Sequence, residues 1–196
     1  MKYLLLYALL IAAISSFAQT DEPDCGWYGD KTVAERNALF PFNKAKKVVL
    51  VSYPDEVEVT ARTENNSPPL SAQINILRTI NFKLGEREQT YYVLQEVQLN
   101  QNAIDEFSNL IFNYTFKERP EHLNPPFLCY QPRNSILFYD EANTIICCYE
   151  VCFACDDGRI WPDPDKVSNF DVSGDCPEVF TQLKAIFRKN GITYGL

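Results

Sequence analysis

Four of the seven cysteines in the chain fall within nine positions, Cys147 to Cys155, in the run TIICCYEVCFACDDG. The run alternates as a strand does, with Ile145, Cys147, Tyr149, Val151 and Phe153 on one side and Ile146, Cys148, Glu150, Cys152 and Ala154 on the other. The first set is nearly all apolar and reads as the core face, with Cys147 a small buried thiol. The second reads as an outer face. NSILFYD, residues 134–140, precedes it as a partner strand, joined through Asp140-Glu141-Ala142-Asn143, so the two form a hairpin.

Geometry limits what these cysteines can do. Cys147 and Cys148 are neighbours with Cα atoms roughly 3.8 Å apart, shorter than the span of an ordinary bridge. Cys148 and Cys152 share a face but sit roughly 13 Å apart along a strand. Pairing Asp140 with Asn143 places Cys129 opposite Ala154, close to Cys152 and Cys155. Cys176, just ahead of the last helix, can close the group. The expectation is two disulfides among Cys129, Cys152, Cys155 and Cys176 that staple hairpin and helix, and the spacing leaves the pairing open.

The same four residues carry two chemical alternatives. A redox dithiol would use Cys152-Phe153-Ala154-Cys155, but Asp156, Asp157 and Gly158 come next, which add negative charge and start no helix to lower a thiol pKa. A zinc site would take Cys129, Cys152, Cys155 and Cys176, although one C-x-x-C is only half of such a pattern. Haem attachment would need His at position 156, where Asp stands. No cofactor is expected.

The chain opens MKYLLLYALLIAAISSFAQT, with one lysine, an apolar run and small residues ending at Ala18. This has the form of a secretory leader, residues 1–18, too short for a membrane span. The protein is therefore expected to be periplasmic or secreted, without stable membrane insertion once the leader is cut. Disulfides are permitted there. The formal charge of −8 argues against nucleic acid as a partner, because phosphate binding draws on clustered Lys and Arg.

The remainder, residues 19–196, has the length of one domain with its own core. A flexible polar arm runs to about residue 30, where only Cys25 and Trp27 offer anchors. KTVAERNAL, residues 31–39, can form a short helix. KKVVLVSY, residues 46–53, is a strand, and EVEVTA, residues 56–61, alternates as its hairpin partner. TENNSPPL is loop, INILRTINFKLG is strand or helix until Gly85, and TYYVLQEVQLN, residues 90–100, reads as one strand. A helix comes next, with Asn102 as cap and Ile104, Phe107, Ile111 and Tyr114 as its apolar stripe. The last helix starts near Pro177, buries Val179, Leu183, Ile186 and Phe187, and stops at Gly191. The fold class is thus α+β: an antiparallel sheet with two main helices, near 103–114 and 177–189, packed on it.

His122, the only histidine, lies in a loop beside Pro120 and Glu121, with no G-x-S-x-G to pair with it. No Walker A loop, G-x-G-x-x-G or H-E-x-x-H occurs. Asp156-Asp157-Gly158 only loosely echoes a cation-binding loop. No catalytic residue is expected.

CYQPRNSILFYD, EVCFAC and the closing IFRKNGITYGL resemble a family of small secreted proteins of Bacteroidota, built around a C-Y-x-P-R strand, a C-F-x-C and a terminal G-I-x-Y-G. The likeness covers roughly the second half of the chain. It implies that Cys129, Tyr130, Pro132, Arg133, Cys152, Cys155 and the Gly191–Gly195 tail are family positions, and that Cys147 and Cys148 are individual to this chain. It implies export and a shared fold, and leaves activity open. The expectation that results is an exported, non-catalytic binding or structural module for an unknown protein or small molecule. Its contact surface would be the outer face of the cysteine hairpin, with Arg133 and Glu150.

Overall fold

The computed structural model describes residues 24–54, 76–118, 130–162, 176 and 178–196. Within them helices and antiparallel sheets mix, as the α+β expectation requires. The expected leader, residues 1–18, together with Cys129, His122 and the run 56–61, lies outside the described residues.

The centre is a five-stranded antiparallel sheet in the order β5-β2-β7-β8-β9, formed by β2 (Lys47–Ser52), β5 (Gln95–Gln98), β7 (Asn134–Tyr139), β8 (Ile145–Cys152) and β9 (Asp157–Trp161). β2 takes β5 and β7 as neighbours along Val49–Ser52, so both of its edges are occupied. The expected single strand over 90–100 is two strands: β4 (Arg87–Val93) and β5 part at Leu94 and join different sheets. β3 (Arg78–Leu84) and β4 make a separate two-stranded hairpin whose turn opens on Gly85 at φ 63°, a left-handed position that favours glycine.

The sheet is covered on both faces. On one side lie α2 (Gln101–Asn113) and α3 (Glu178–Lys189), whose Phe107, Leu110, Leu183 and Phe187 share a cluster with Leu50, Ile136, Phe138 and Tyr149. On the other lies the β3–β4 hairpin, where Ile80, Leu84, Tyr91 and Val93 pack on Val49, Val51, Leu137 and Cys148. The strands therefore carry side chains buried in both directions: every residue of β7 is buried, and of β8 all but Ile146.

Cap chemistry corrects the start of α2. Asn100, not Asn102, is the N-cap, its side chain accepting from the Ala103 amide at 3.0 Å. The buried stripe is correspondingly Ala103, Phe107, Leu110 and Phe112, with Ile104 and Ile111 at its margin. α3 begins and ends where the sequence predicts, with Gly191 at φ 92° after it.

From Asp24 the arm is tied down. β1 (Cys25–Gly26) pairs with β6 (Thr115–Phe116), the Gly29 amide donates to Asn113 O at 3.0 Å, and the Asn113 side chain bonds both the N–H and the C=O of Lys31. Gly29 is required, because a Cβ there would sit 2.6 Å from the Asn113 Cα. Thr32 and Glu35 then form a capping box for the short α1 (Val33–Asn37). The arm is also covalently held: Cys25 is bonded to Cys176, 151 positions later.

Candidate functional site

That bond corrects the expected staple. Cys176 is occupied by Cys25, so it neither bridges to the hairpin cysteines nor serves as a thiolate ligand beside Cys129, Cys152 and Cys155. Sequence spacing cannot reveal such a bond, since it joins an arm to a helix through the fold. Among the described residues no group of three His, Cys, Asp or Glu side chains is placed to hold a metal ion. Cys152 and Cys155 lie buried at the turn from β8 into β9, where the Cys155 amide donates to Cys152 O at 3.2 Å and the Cys152 thiol lies 3.5 Å from Gln131 O. The C-x-x-C leads into strand β9 through Asp156 at φ 45°, so no helix dipole acts on either sulfur.

The hairpin itself differs from expectation by a β-bulge. Tyr139 pairs with Ile145 but Phe138 with Cys147, which leaves Ile146 as an extra residue. Beyond it the register is two residues away from that expected, so Asn134 faces Val151 and the two faces beyond the bulge keep their membership. Cys147, Tyr149, Val151 and Phe153 join the helix-side core, as the alternation predicts, but Ile145 is thrown to the opposite cluster with Cys148.

The expected contact surface fails on burial. Glu150 is 1% exposed, because the β3–β4 hairpin covers the face that alternation alone reads as outer. Arg133 is half-buried against the C-terminal tail, where a Cβ on Gly195 would lie 2.7 Å from its own Cβ. Glu150 is instead the hub of an internal network. Arg87 Nη2 donates to both carboxylate oxygens at 3.0 and 2.9 Å, Tyr91 donates at 2.7 Å, Trp161 Nε1 at 3.2 Å and Tyr130 at 3.5 Å. The Arg87 guanidinium also lies 4.3 Å over the Trp161 ring, and Arg159 lies 3.7 Å over Tyr130. Tyr91 leads onward to Ser135 and Tyr53, the two tyrosine rings stacking at 4.0 Å.

Burial favours the protonated forms of the thiol and phenols in this network. Burial and then the Glu150 charge push the Cys148 thiol up to about 12, and burial raises Tyr53, Tyr91 and Tyr130 well above the ordinary phenol range. A thiol so placed is a poor nucleophile near neutral pH. The arrangement suits an anchor that fixes the small hairpin to the sheet. Arg87, Tyr91 and Trp161 carry no sequence signal of such a role, beyond the alternation that puts Arg87 and Gln89 on the same face as the buried Tyr91 and Val93.

A second place is open to solvent. Where the α1–β2 connection meets the β7–β8 turn, a groove of about 560 Å³ forms, within the size range of small-ligand sites. One wall is Phe40, Asn43, Lys44 and Lys46; the other is Asp140, Glu141, Ala142 and Ile146. The bulge is what leaves Ile146 there, half-buried at the edge of the helix-side core. The walls are fixed by the Lys46 amide on Tyr139 O at 2.7 Å, the Lys46–Glu141 ion pair at 3.1 Å and Lys47 Nζ on Asn143 Oδ1 at 2.6 Å. The turn is closed by the Asp140 carboxylate accepting the Thr144 amide at 2.8 Å, with Asn143 at φ 59°. Nothing in the sequence brings Lys44, Lys46 and Lys47 to Asp140 and Glu141.

No helix among the described residues is long and apolar enough to cross a membrane. No family model, curated protein or solved structure matches the chain.

Proposed function

We propose that the chain is an exported, non-catalytic binding module, its arm and last helix held by a disulfide. The observation that carries this reading is a division of labour between two polar sites. The one rich in reactive groups, around Glu150 and Cys148, is buried with its carboxylate hydrogen-bonded and its thiol protonated. The one open to solvent has the size of a ligand site and charged walls. The Cys25–Cys176 bond supports an oxidising compartment, in line with the leader-like first 18 residues and the Bacteroidota resemblance. The alternative, a periplasmic thiol redox or zinc protein using Cys152 and Cys155, loses Cys176 as a fourth sulfur.

The test is a small-molecule and peptide library screened by two-dimensional NMR of the oxidised protein. The expected result is saturable shifts at Lys44, Asp140 and Ile146 that Ala142→Trp, which fills the groove, abolishes. Turnover of a library member, shifts confined to Cys152–Cys155, or a groove that no member perturbs overturns the reading.

A further inference from the structure

We infer that the groove between the α1–β2 connection and the β7–β8 turn takes a zwitterion with an apolar body, the chemistry of a short apolar peptide with both termini free. The inference rests on the binding-module reading and adds the ligand class.

Charge is divided between the two walls by sign. Both cations of the groove, Lys44 and Lys46, come from the connection, and both carboxylates, Asp140 and Glu141, come from the turn. Two segments far apart in sequence thus present opposite signs across one depression. A ligand with a single charge would meet attraction on one wall and repulsion on the other, whereas a dipolar one is matched on both. Lys46 and Glu141 already pair with each other. Lys44 has no ion-pair partner among the described residues and is exposed, so a ligand carboxylate has a cation available. Asp140 accepts the Thr144 amide on one oxygen, which fixes its carboxylate, and its second oxygen meets no donor among the described residues and so can take an ammonium.

Beside the charges, each wall carries apolar side chains, Phe40 on one and Ala142 and Ile146 on the other, with Asn43 the one uncharged polar residue of the lining. Phe40 and Ile146 are half-buried, each packed from below on the helix-side core, so they are held in place before any ligand arrives. The volume, about 560 Å³, accommodates an apolar dipeptide with room for water. The site is preformed by backbone bonds on both sides: Lys44 and Ala45 amides donate to Pro41 O, and Asn143 N–H to Asp140 O. Little ordering remains for a ligand to impose.

The probe is the dipeptide phenylalanyl-leucine, titrated into the oxidised protein by NMR and calorimetry beside its N-acetylated and C-amidated forms. The free dipeptide is expected to bind saturably at submillimolar to millimolar concentration with shifts at Lys44, Asp140 and Ile146. Blocking either terminus should weaken binding at least about tenfold, and Lys44→Glu should do the same while leaving the Glu150 network resonances unmoved. Equal affinity for blocked and free forms would reduce the groove to an apolar surface and sink the zwitterion. So would failure of the free dipeptide alongside groove binding, sensitive to Ala142→Trp, by a library member of another class, which spares the binding-module reading. A groove that nothing perturbs removes both.

Discussion

The two faces of the five-stranded sheet are buried to the same degree by opposite means. The helix side is filled by rings and aliphatic chains, with Phe107, Phe138, Tyr149 and Phe187 fully buried. The hairpin side holds a carboxylate, a guanidinium, two stacked tyrosines, a serine and a thiol among its apolar residues. Shape alone governs the first, and losses there scale with volume removed. Pairing governs the second, where removing one member strands the others in a dry place. Equal burial therefore does not mean equal tolerance.

The largest effects should come from deleting one anchor on each face. Phe107→Ala should cost about 3–5 kcal/mol in denaturant unfolding, and no single second substitution on the hairpin side should relieve it. Arg87→Ala should cost about 3 kcal/mol, at the low end for a broken buried pair because its side chain is 30% exposed. Adding Glu150→Leu to it should cost less than the sum of the two singles, since the stranded charge is gone although Tyr91, Trp161 and Tyr130 lose their acceptor. A double mutant as unstable as the sum of the singles would show that the pair is not coupled.

A finer probe uses neighbouring thiols that face opposite ways. Cys147→Ser puts a hydroxyl into the apolar helix side and should cost about 1–3 kcal/mol, whereas Cys148→Ser sits 3.4 Å from the Tyr91 hydroxyl and should cost less than about 1 kcal/mol. Equal costs would erase the distinction between the faces.

The last effect is nil at neutral pH and emerges only in alkali. The folded Cys148 thiol titrates near 12 instead of its ordinary 9.0, so the folded state keeps a proton that the unfolded chain gives up first. Its contribution is complete below pH 9 and is lost as pH climbs from 9 to 12, at about 1.4 kcal/mol per pH unit. Burial raises Cys147 as well, so two such slopes add. Cys148→Ala should remove one of them in a pH series of denaturant midpoints, and an unchanged slope would count against the assignment.

Much of the frame is legible in the chain. β2, β7, β8 and α3 announce themselves through β-branched runs, a capped helix start and a terminal glycine. Glu150 is misread from sequence because alternation reports two faces and not what covers each: an acidic residue in a strand looks solvated until a second layer is known. In that layer β3 comes from a stretch whose periodicity fits strand or helix and β4 reads as one strand with β5, so neither the cover nor Arg87 is visible. The groove is missed for a related reason, since its walls meet only after β2 pairs with β7. The bulge at Ile146 arises from the five-residue turn that Asn143 and the Asp140 carboxylate close, and no hydrophobic pattern encodes it.

The bond between Cys25 and Cys176 sets an order of events for the growing chain. Cys25 emerges first and its mate emerges after every other cysteine has passed. Any bridge that Cys25 makes earlier in an oxidising space is a wrong one and must be undone by thiol exchange, a step of minutes to hours without an isomerase. Cys148 is covered by the β3–β4 hairpin and not by the final helix, so its withdrawal as a competitor does not wait for that helix. Refolding from the reduced state should therefore be limited by reshuffling when oxidant is present at the start, and should speed up when oxidant is added after the sheet has formed.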